Sequence, residues 1–348
     1  IVFGDWSSDV CSSDLIHASL KMLGAFATFD TSFGADITIM EEAEECLERI
    51  KEAIKKGEEP EVMFTSCCPA WVKYVEFYEP EFIPNLTTVR SPQIILGGVI
   101  KEYWARKEKI NPREIVSVSV MPCTSKKFEV ARRELDLKGM APVDYSITVR
   151  EFAKMLKEEN IDLNKIEPEP RAENLLSDPT GGGEIFGASG GVMEAALRTA
   201  YFMLTGHNLE EVEFHQLHAQ SGVKKFELTI GEITMRLAAV NGMDNAKVIL
   251  EELKKNPRAY AYVEVMACPG GCIGGGGQPI PVDDEIRKKR AEGLYNSDRD
   301  RAVRLCHESP GIKKIYKDLF NTQKKRDEIC KTSFGRKKKS VIKKVNNK

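Results

Sequence analysis

Apolar stretches that read as strands fall near residues 62–64, 116–120, 226–230, 233–240 and 262–266, interleaved with helical patterns near 41–56, 69–78, 91–107, 148–158, 190–204 and 243–254. That interleaving predicts an α/β fold. LTIGEITMRLAAVNG reads as a hairpin turning at Gly231 and leading into a helix. The stretch from Asn160 to Glu184 contains EPEPRAENLLSDPTGGGE and reads as a surface loop or a linker between lobes. The chain shows no internal repeat at a solenoid period.

Three apolar stretches run straight into cysteine: EVMFTSCCPAW at 61–71, IVSVSVMPCTSKKFE at 115–129 and AYVEVMACPGGCIGGGGQP at 261–279. Ligands collect at the carboxyl ends of strands in open α/β sheets, so such strands can aim their thiolates at one point. The candidate ligands are Cys68, Cys123, Cys268 and Cys272. Four cysteinates suit a 4Fe-4S cubane or a structural zinc ion, and their number alone leaves both open. Zinc ribbons usually take ligands in two close pairs, whereas Cys68 and Cys123 come singly, far from the final C-x3-C.

The neighbours of these cysteines add to the picture. Gly270, Gly271 and Gly274 to Gly277 leave almost no side-chain volume beside Cys272, the composition expected where something bulky approaches the main chain; a flexible loop is the plainer reading. Lys126 puts a cation near an anionic cluster, although most lysines are simply exposed. Cys67 points away from Cys68 if the backbone is extended, and the plain reading is a small buried hydrophobe. EEAEECLERI sets Glu42, Glu45 and Arg49 at i, i+3 and i+7 on one helical face, which by composition is most simply a solvated acidic face.

TSCCPAW, MPCTSKKFE and EVMACPGGCIGGGGQP closely resemble the signature segments of the catalytic domain of the iron-iron hydrogenases, in order and at ordinary spacing. Further similarity runs through FGADITIMEEA at 33–43, SPQ at 91–93, IFGASGGVMEAALR at 185–198 and LYNSD at 294–298, so that the resemblance covers about residues 20 to 320. It implies two lobes, each a small mixed sheet flanked by helices, closing over a metal cluster at strand carboxyl ends. It makes Cys68, Cys123, Cys268 and Cys272 ligands of a 4Fe-4S cubane, with Cys272 bridging to a diiron subcluster that carries carbon monoxide, cyanide and an azadithiolate. Lys126 would hydrogen-bond a cyanide, Gln93 would face the carbonyl side, and Met121, Pro122, Met266 and Phe186 would form apolar walls beside Gly274 and Gly275. Cys67 would pass protons along Glu42, Thr87, Glu45 and Arg49, with Thr87 standing where the family usually has serine. The implied activity is reversible reduction of protons to dihydrogen, with electrons from ferredoxin or a fused or partner iron-sulfur subunit and with maturation proteins supplying the diiron unit. Non-catalytic relatives, hydrogen sensors and cytosolic cluster-assembly proteins, are the alternative; they tend to lose the thiol, the lysine or the glycines kept here. An inactive truncated fragment is a third possibility.

Composition agrees with a soluble enzyme: 348 residues with 42% apolar content can bury a substantial core. A net charge of -2 argues against a nucleic-acid partner. Neither a membrane span nor a secretory signal is apparent, and nine cysteines placed at strand ends fit a reducing compartment, so cytoplasmic is the expectation. Cys11, Cys46, Cys306 and Cys330 read as ordinary thiols, and the neighbouring His215 and His218 suggest a metal pair only weakly. The expected organisation is a non-native, adapter-like segment at 1–15, an amino-terminally truncated lobe at 16–145, a second lobe at 146–285, a helical segment like the family's small subunit at 286–330, and a disordered basic tail at 331–348. The family's alanine-proline strand-loop upstream of the first lobe has no counterpart in this sequence.

Overall fold

The computed structural model describes residues 12–168, 176, 178–218, 222–230 and 233–337. Two small sheets, each flanked by helices, form an α/β architecture. The larger sheet has the order β1 (Met63–Phe64), β6 (Tyr262–Met266), β5 (Ile233–Asn241) and β4 (Val223–Ile230). β1 and β5 both run parallel to β6, and β4 and β5 form the expected antiparallel hairpin, with its turn at Gly231 outside the described residues. The smaller sheet pairs β2 (Val118–Met121) in parallel with β3 (Tyr145–Thr148).

β6 is buried along its whole length, because both faces of its sheet are covered. Phe64, Val263 and Val265 pack with Trp71 and Val75 of the helix Pro69–Tyr78 and Leu250 of the helix Met243–Lys255. Met63 and Tyr262 pack on the opposite face with Met193 and Leu197 of the helix Gly191–Thr205. The helix Thr31–Lys55 is capped by Asp30, whose side chain accepts from the Ser32 amide at 2.9 Å. It begins ten residues earlier than its sequence pattern indicated, since Phe33, Gly34, Ala35, Ile37 and Ile39 are buried on several sides and leave no polar face to mark a period.

Three expectations about organisation change. Ser12–Met22 is a helix whose Ile16 enters the core of the smaller sheet, so an exclusion running to residue 15 cuts into a packed element; residues 1–11 lie outside the described residues. The boundary at 145/146 does not follow the sheets, because β1 from the first expected lobe pairs with β6 from the second and β3 straddles the division. The tail is anchored through residue 337: Thr332 donates to the Thr88 carbonyl at 2.7 Å and the Lys337 amide to the Glu76 carbonyl at 3.0 Å, while 338–348 lie outside the described residues. The surface loop or linker expected at 160–184 lies partly outside them too, and its end is not a surface loop: Thr180 caps the helix Gly181–Ile185, whose Gly181, Gly182 and Gly183 are buried. The helices Asp284–Asp300, Pro310–Asp318 and Gln323–Cys330 follow toward the carboxyl terminus, and Ile312, Ile315 and Ile329 share a core with Phe33 and Ile37.

Candidate metal centre and proton path

Parallel pairing of β1 with β6 brings Cys68 and Cys268 to adjacent strand ends, and the Ala267 amide donates to Cys68 Sγ at 3.5 Å. Pro69 starts a helix immediately after Cys68, where the missing amide costs nothing, so the thiol sits at the turn between strand and helix. Cys123 follows β2, and the loop carrying Cys272 lies directly on it: the Gly277 amide donates to the Pro122 carbonyl at 2.9 Å.

The glycine run meets a steric demand from within the protein itself. A Cβ on Gly275 would stand 2.1 Å from the Pro122 carbonyl oxygen, one on Gly274 2.0 Å from the Pro269 carbonyl oxygen, and one on Gly277 2.8 Å from the Cys123 nitrogen. What crowds the main chain is therefore the protein's own backbone, and the glycines let two cysteine loops touch. Gly271 has a φ of 93°, and a Cβ there would also meet the Ser189 nitrogen at 2.7 Å.

Burial pushes the Cys68 thiol up, pushes Cys268 up to about 11 and pushes Cys272 well above the ordinary range, and in each case the neighbouring cysteines add to the shift. Four thiolates together in this place repel one another unless a cationic centre compensates them, so the donor set suits a metal cluster. Among the described residues no three His, Cys, Asp or Glu side chains close on a point that would hold one metal ion. His215 is exposed beside Glu211, and the side chain of His218 lies outside the described residues.

Lys126 is buried, and its ammonium donates to the Cys67 carbonyl and to Glu129 Oε2, both at 2.9 Å. Burial disfavours its charge, but Glu129, Cys123 and Cys67 outweigh that and raise its pKa. Gln93 is also held here: its amide donates to Glu129 Oε2 at 2.6 Å and its carbonyl accepts from Ser119 at 2.7 Å. Glu129 thus orients both residues expected at the diiron pocket, and sequence reading missed it. Its one signal was the i, i+3 spacing from Lys126. Phe186 and Met266 pack in one apolar cluster with Cys67 and against Cys272, while Met121 and Pro122 are buried on the β2 side.

Cys67 and Cys68 belong to different core clusters, as opposite-facing neighbours should. Burial, reinforced by Glu42, lifts the Cys67 thiol well above its usual range, so it is protonated. Glu41, Glu42 and Glu45 are all buried, so this helix face is not a solvated one. Burial, Glu45 and Glu264 push Glu42 up to about 8. Burial also opposes the charge of Glu45, yet Lys331, Thr88 and Arg49 outweigh it and hold that carboxyl below its ordinary value. Glu45 Oε2 accepts from Thr87 Oγ1 at 3.1 Å and from Thr88 Oγ1 at 2.7 Å, and Oε1 accepts from Arg49 at 2.8 Å. Thr87, Glu45 and Arg49 are therefore connected. Glu42 touches none of them through a direct hydrogen bond among the described residues: its Oε2 accepts from the Tyr262 hydroxyl at 3.4 Å, and its Oε1 has no hydrogen-bond partner.

Half-buried thiols at strand ends and in the glycine loop, beside a buried carboxylate chain, suit an iron-sulfur type of site. The chain matches the family described as iron only hydrogenase large subunit, C-terminal domain, over residues 3–276, and iron hydrogenase small subunit over residues 284–333. It belongs to the iron-only hydrogenase family. It is 42% identical over 310 residues to iron hydrogenase 1 of Clostridium pasteurianum, covering 88% of this chain and 53% of that protein. It is 34% identical over 307 residues to the cytosolic Fe-S cluster assembly factor narfl of Danio rerio, covering 85% of this chain and 73% of that protein. The fold matches a variant of apo FeFe hydrogenase HydA1 from Chlamydomonas reinhardtii with a TM-score of 0.80 at 34% identity, over 93% of this chain and 87% of that one. The chain thus spans about half the length of the Clostridium relative.

Proposed function

We propose that this chain catalyses the reversible reduction of protons to dihydrogen, and that Cys68, Cys123, Cys268 and Cys272 hold a 4Fe-4S cubane. Bound through Cys272, a diiron subcluster with carbon monoxide, cyanide and azadithiolate ligands would supply the bond-making and redox chemistry. The single observation that carries the reading is the buried sequence of proton-holding groups beside that cysteine. Cys67 keeps a proton on Sγ, Glu42 keeps one at neutral pH, and Glu45, tied to Thr87 and Arg49, is ionised and leads toward the surface. Between Glu42 and Thr87 an ordered water would complete the path. Lys126 and Gln93, fixed by Glu129, would orient the diiron ligands, and Phe186, Met121, Pro122 and Met266 would exclude water.

Electrons would come from ferredoxin or a fused or partner iron-sulfur subunit, and maturation proteins would load the diiron unit. Free cysteines throughout the described residues suit a cytoplasmic setting, and no described helix is long and apolar enough to cross a membrane. The similarity to the Danio rerio assembly factor supports a second reading, a non-catalytic iron-sulfur protein. Infrared spectroscopy of the anaerobically reconstituted protein, after supplying a synthetic diiron compound, separates the two when followed by a hydrogen-evolution assay. Carbonyl and cyanide bands with gas evolution support the hydrogenase. Bands without gas, or no bands despite an intact cubane, support the second reading. In the active case Cys67→Ala should keep the cubane absorbance and lose turnover by roughly 10²-fold or more.

A further inference from the structure

We propose that Lys331 is a positioning residue of the proton path, the carboxyl-terminal segment supplying a second cation that fixes the Glu45 carboxylate at the outer end of that path. The inference deepens the hydrogenase reading and rests on it for its catalytic consequence. Residues 330–332 lie across residues 88–90 as an antiparallel bridge, Val89 opposite Lys331. The Arg90 amide donates to the Cys330 carbonyl and the Thr332 amide to the Thr88 carbonyl, both at 2.7 Å, and Arg90 Nε holds the Lys331 carbonyl at 2.7 Å. The backbone on both sides of Lys331 is thereby tied to the segment that carries Thr87 and Thr88.

From that position the Lys331 ammonium stands 3.1 Å from Glu45 Oε2, the oxygen that also accepts from Thr87 and Thr88. Arg49 holds Oε1, so the two cations grip opposite oxygens of one carboxylate. Other charges face Glu45 from its own helix, namely Glu42 and Glu41; Glu41 Oε2 lies 3.9 Å from Lys331, and Oε1 is held by Tyr316 and Arg326 of the carboxyl-terminal helices. The segment 87–90 offers Glu45 hydroxyls and an amide, and its one charge, Arg90, is turned to the Leu135 and Lys331 carbonyls. Lys331 is the only cation that reaches Glu45 from outside its own helix among the described residues. Without it, Oε2 keeps its hydroxyl donors but loses its charge partner, and the carboxyl becomes easier to protonate.

The test follows the Glu45 carboxyl by infrared difference spectroscopy during pH titration of the full chain, with Glu45→Gln identifying its band. Lys331→Gln should move the midpoint to higher pH, and Lys331→Arg should return it toward that of the parent. The loaded enzyme has a second readout. Hydrogen oxidation, which needs Glu45 ionised to accept protons, should have its acid limb displaced upward in Lys331→Gln, losing about tenfold for each pH unit below the new midpoint. An unchanged carboxyl midpoint in Lys331→Gln overturns the proposal. If the loaded parent produces no hydrogen, the hydrogenase reading fails while the carboxyl titration still decides whether Lys331 sets Glu45.

Discussion

Glu42 and Glu45 are three residues apart on one helix, yet their surroundings set them in opposite protonation states. Glu42 has a tyrosine hydroxyl at 3.4 Å and a bare second oxygen, whereas Glu45 has two cations and two hydroxyls. A carboxyl whose pKa rises from 4.5 to about 8 binds a proton in the folded state that the unfolded chain has already released. Stability therefore falls as pH rises through that window, by about 1.4 kcal/mol per pH unit for this group, and the loss is complete above it. Glu42→Gln keeps the shape and an acceptor for Tyr262 without the titration. It should match the parent's stability at pH 5 and exceed it by a few kcal/mol at pH 9, while hydrogen evolution drops by roughly 10²-fold or more. Urea unfolding at both pH values, with the assay on the loaded protein, checks both arms; equal stability at pH 9 contradicts the assignment. The carboxylates and cysteines could be read from the chain because they sit in contiguous motifs. Tyr262 and Lys331 could not, since the groups they serve lie 220 and 286 residues away in sequence; Glu129 left only its spacing from Lys126, its other partner Gln93 being 36 residues away.

The cysteine loops show how little regular structure the site requires. β1 contributes two residues and β2 four, and what fixes Cys123 against Cys272 is the backbone of the glycine loop pressed on Pro122. Gly275 has an ordinary φ of -63°, so the demand on it is purely steric. Gly275→Ala should push the loops apart and abolish the cubane absorbance after reconstitution. Gly276→Ala, whose Cβ would meet only Thr124 at 3.6 Å, should retain it. Equal cluster content in the two variants would show that the contact does not hold the site together. The expected strands and most helices stand where the pattern placed them, with two instructive failures. β3 was missed because its four residues run directly into the helix Val149–Glu158, so two periods meet without a break. The start of the helix Thr31–Lys55 was hidden because it is buried on several sides.

The two family matches meet in a buried ion network that ties residues 284–333 to the helix Gly191–Thr205. Arg198, in the region matched to the large subunit, donates to Glu194 at 2.6 Å and to both oxygens of Asp298 at 3.0 and 2.9 Å. Asp298 lies in the region matched to the small subunit and also pairs with Arg304 at 2.5 Å. The packing is close: a Cβ on Gly181 would stand 1.9 Å from Asp298 Oδ1. Arg198 and the two carboxylates are essentially inaccessible to water, so the network cannot dissolve into solvent when one member is removed. Arg198→Met keeps most of the side-chain volume but removes the cation shared by Glu194 and Asp298, while Asp298 keeps Arg304. Breaking a buried pair from one side costs about 3–5 kcal/mol, because a desolvated charge loses its partner. Arg299→Met serves as the comparison, since Arg299 is about half exposed and meets Glu213 at 3.5 Å, a pair expected to contribute less than about 1 kcal/mol. Thermal and denaturant unfolding of both variants should therefore show a large loss for Arg198→Met and almost none for Arg299→Met. Limited proteolysis of Arg198→Met should release the carboxyl-terminal helices first, because the lost pair is the buried ionic tie between them and the helix Gly191–Thr205, beside the Phe202–His307 stack. Uniform proteolysis along the chain, or matching stabilities of the two variants, would mean that the apolar contacts of Ile312, Ile315 and Ile329 hold that segment without the ion network.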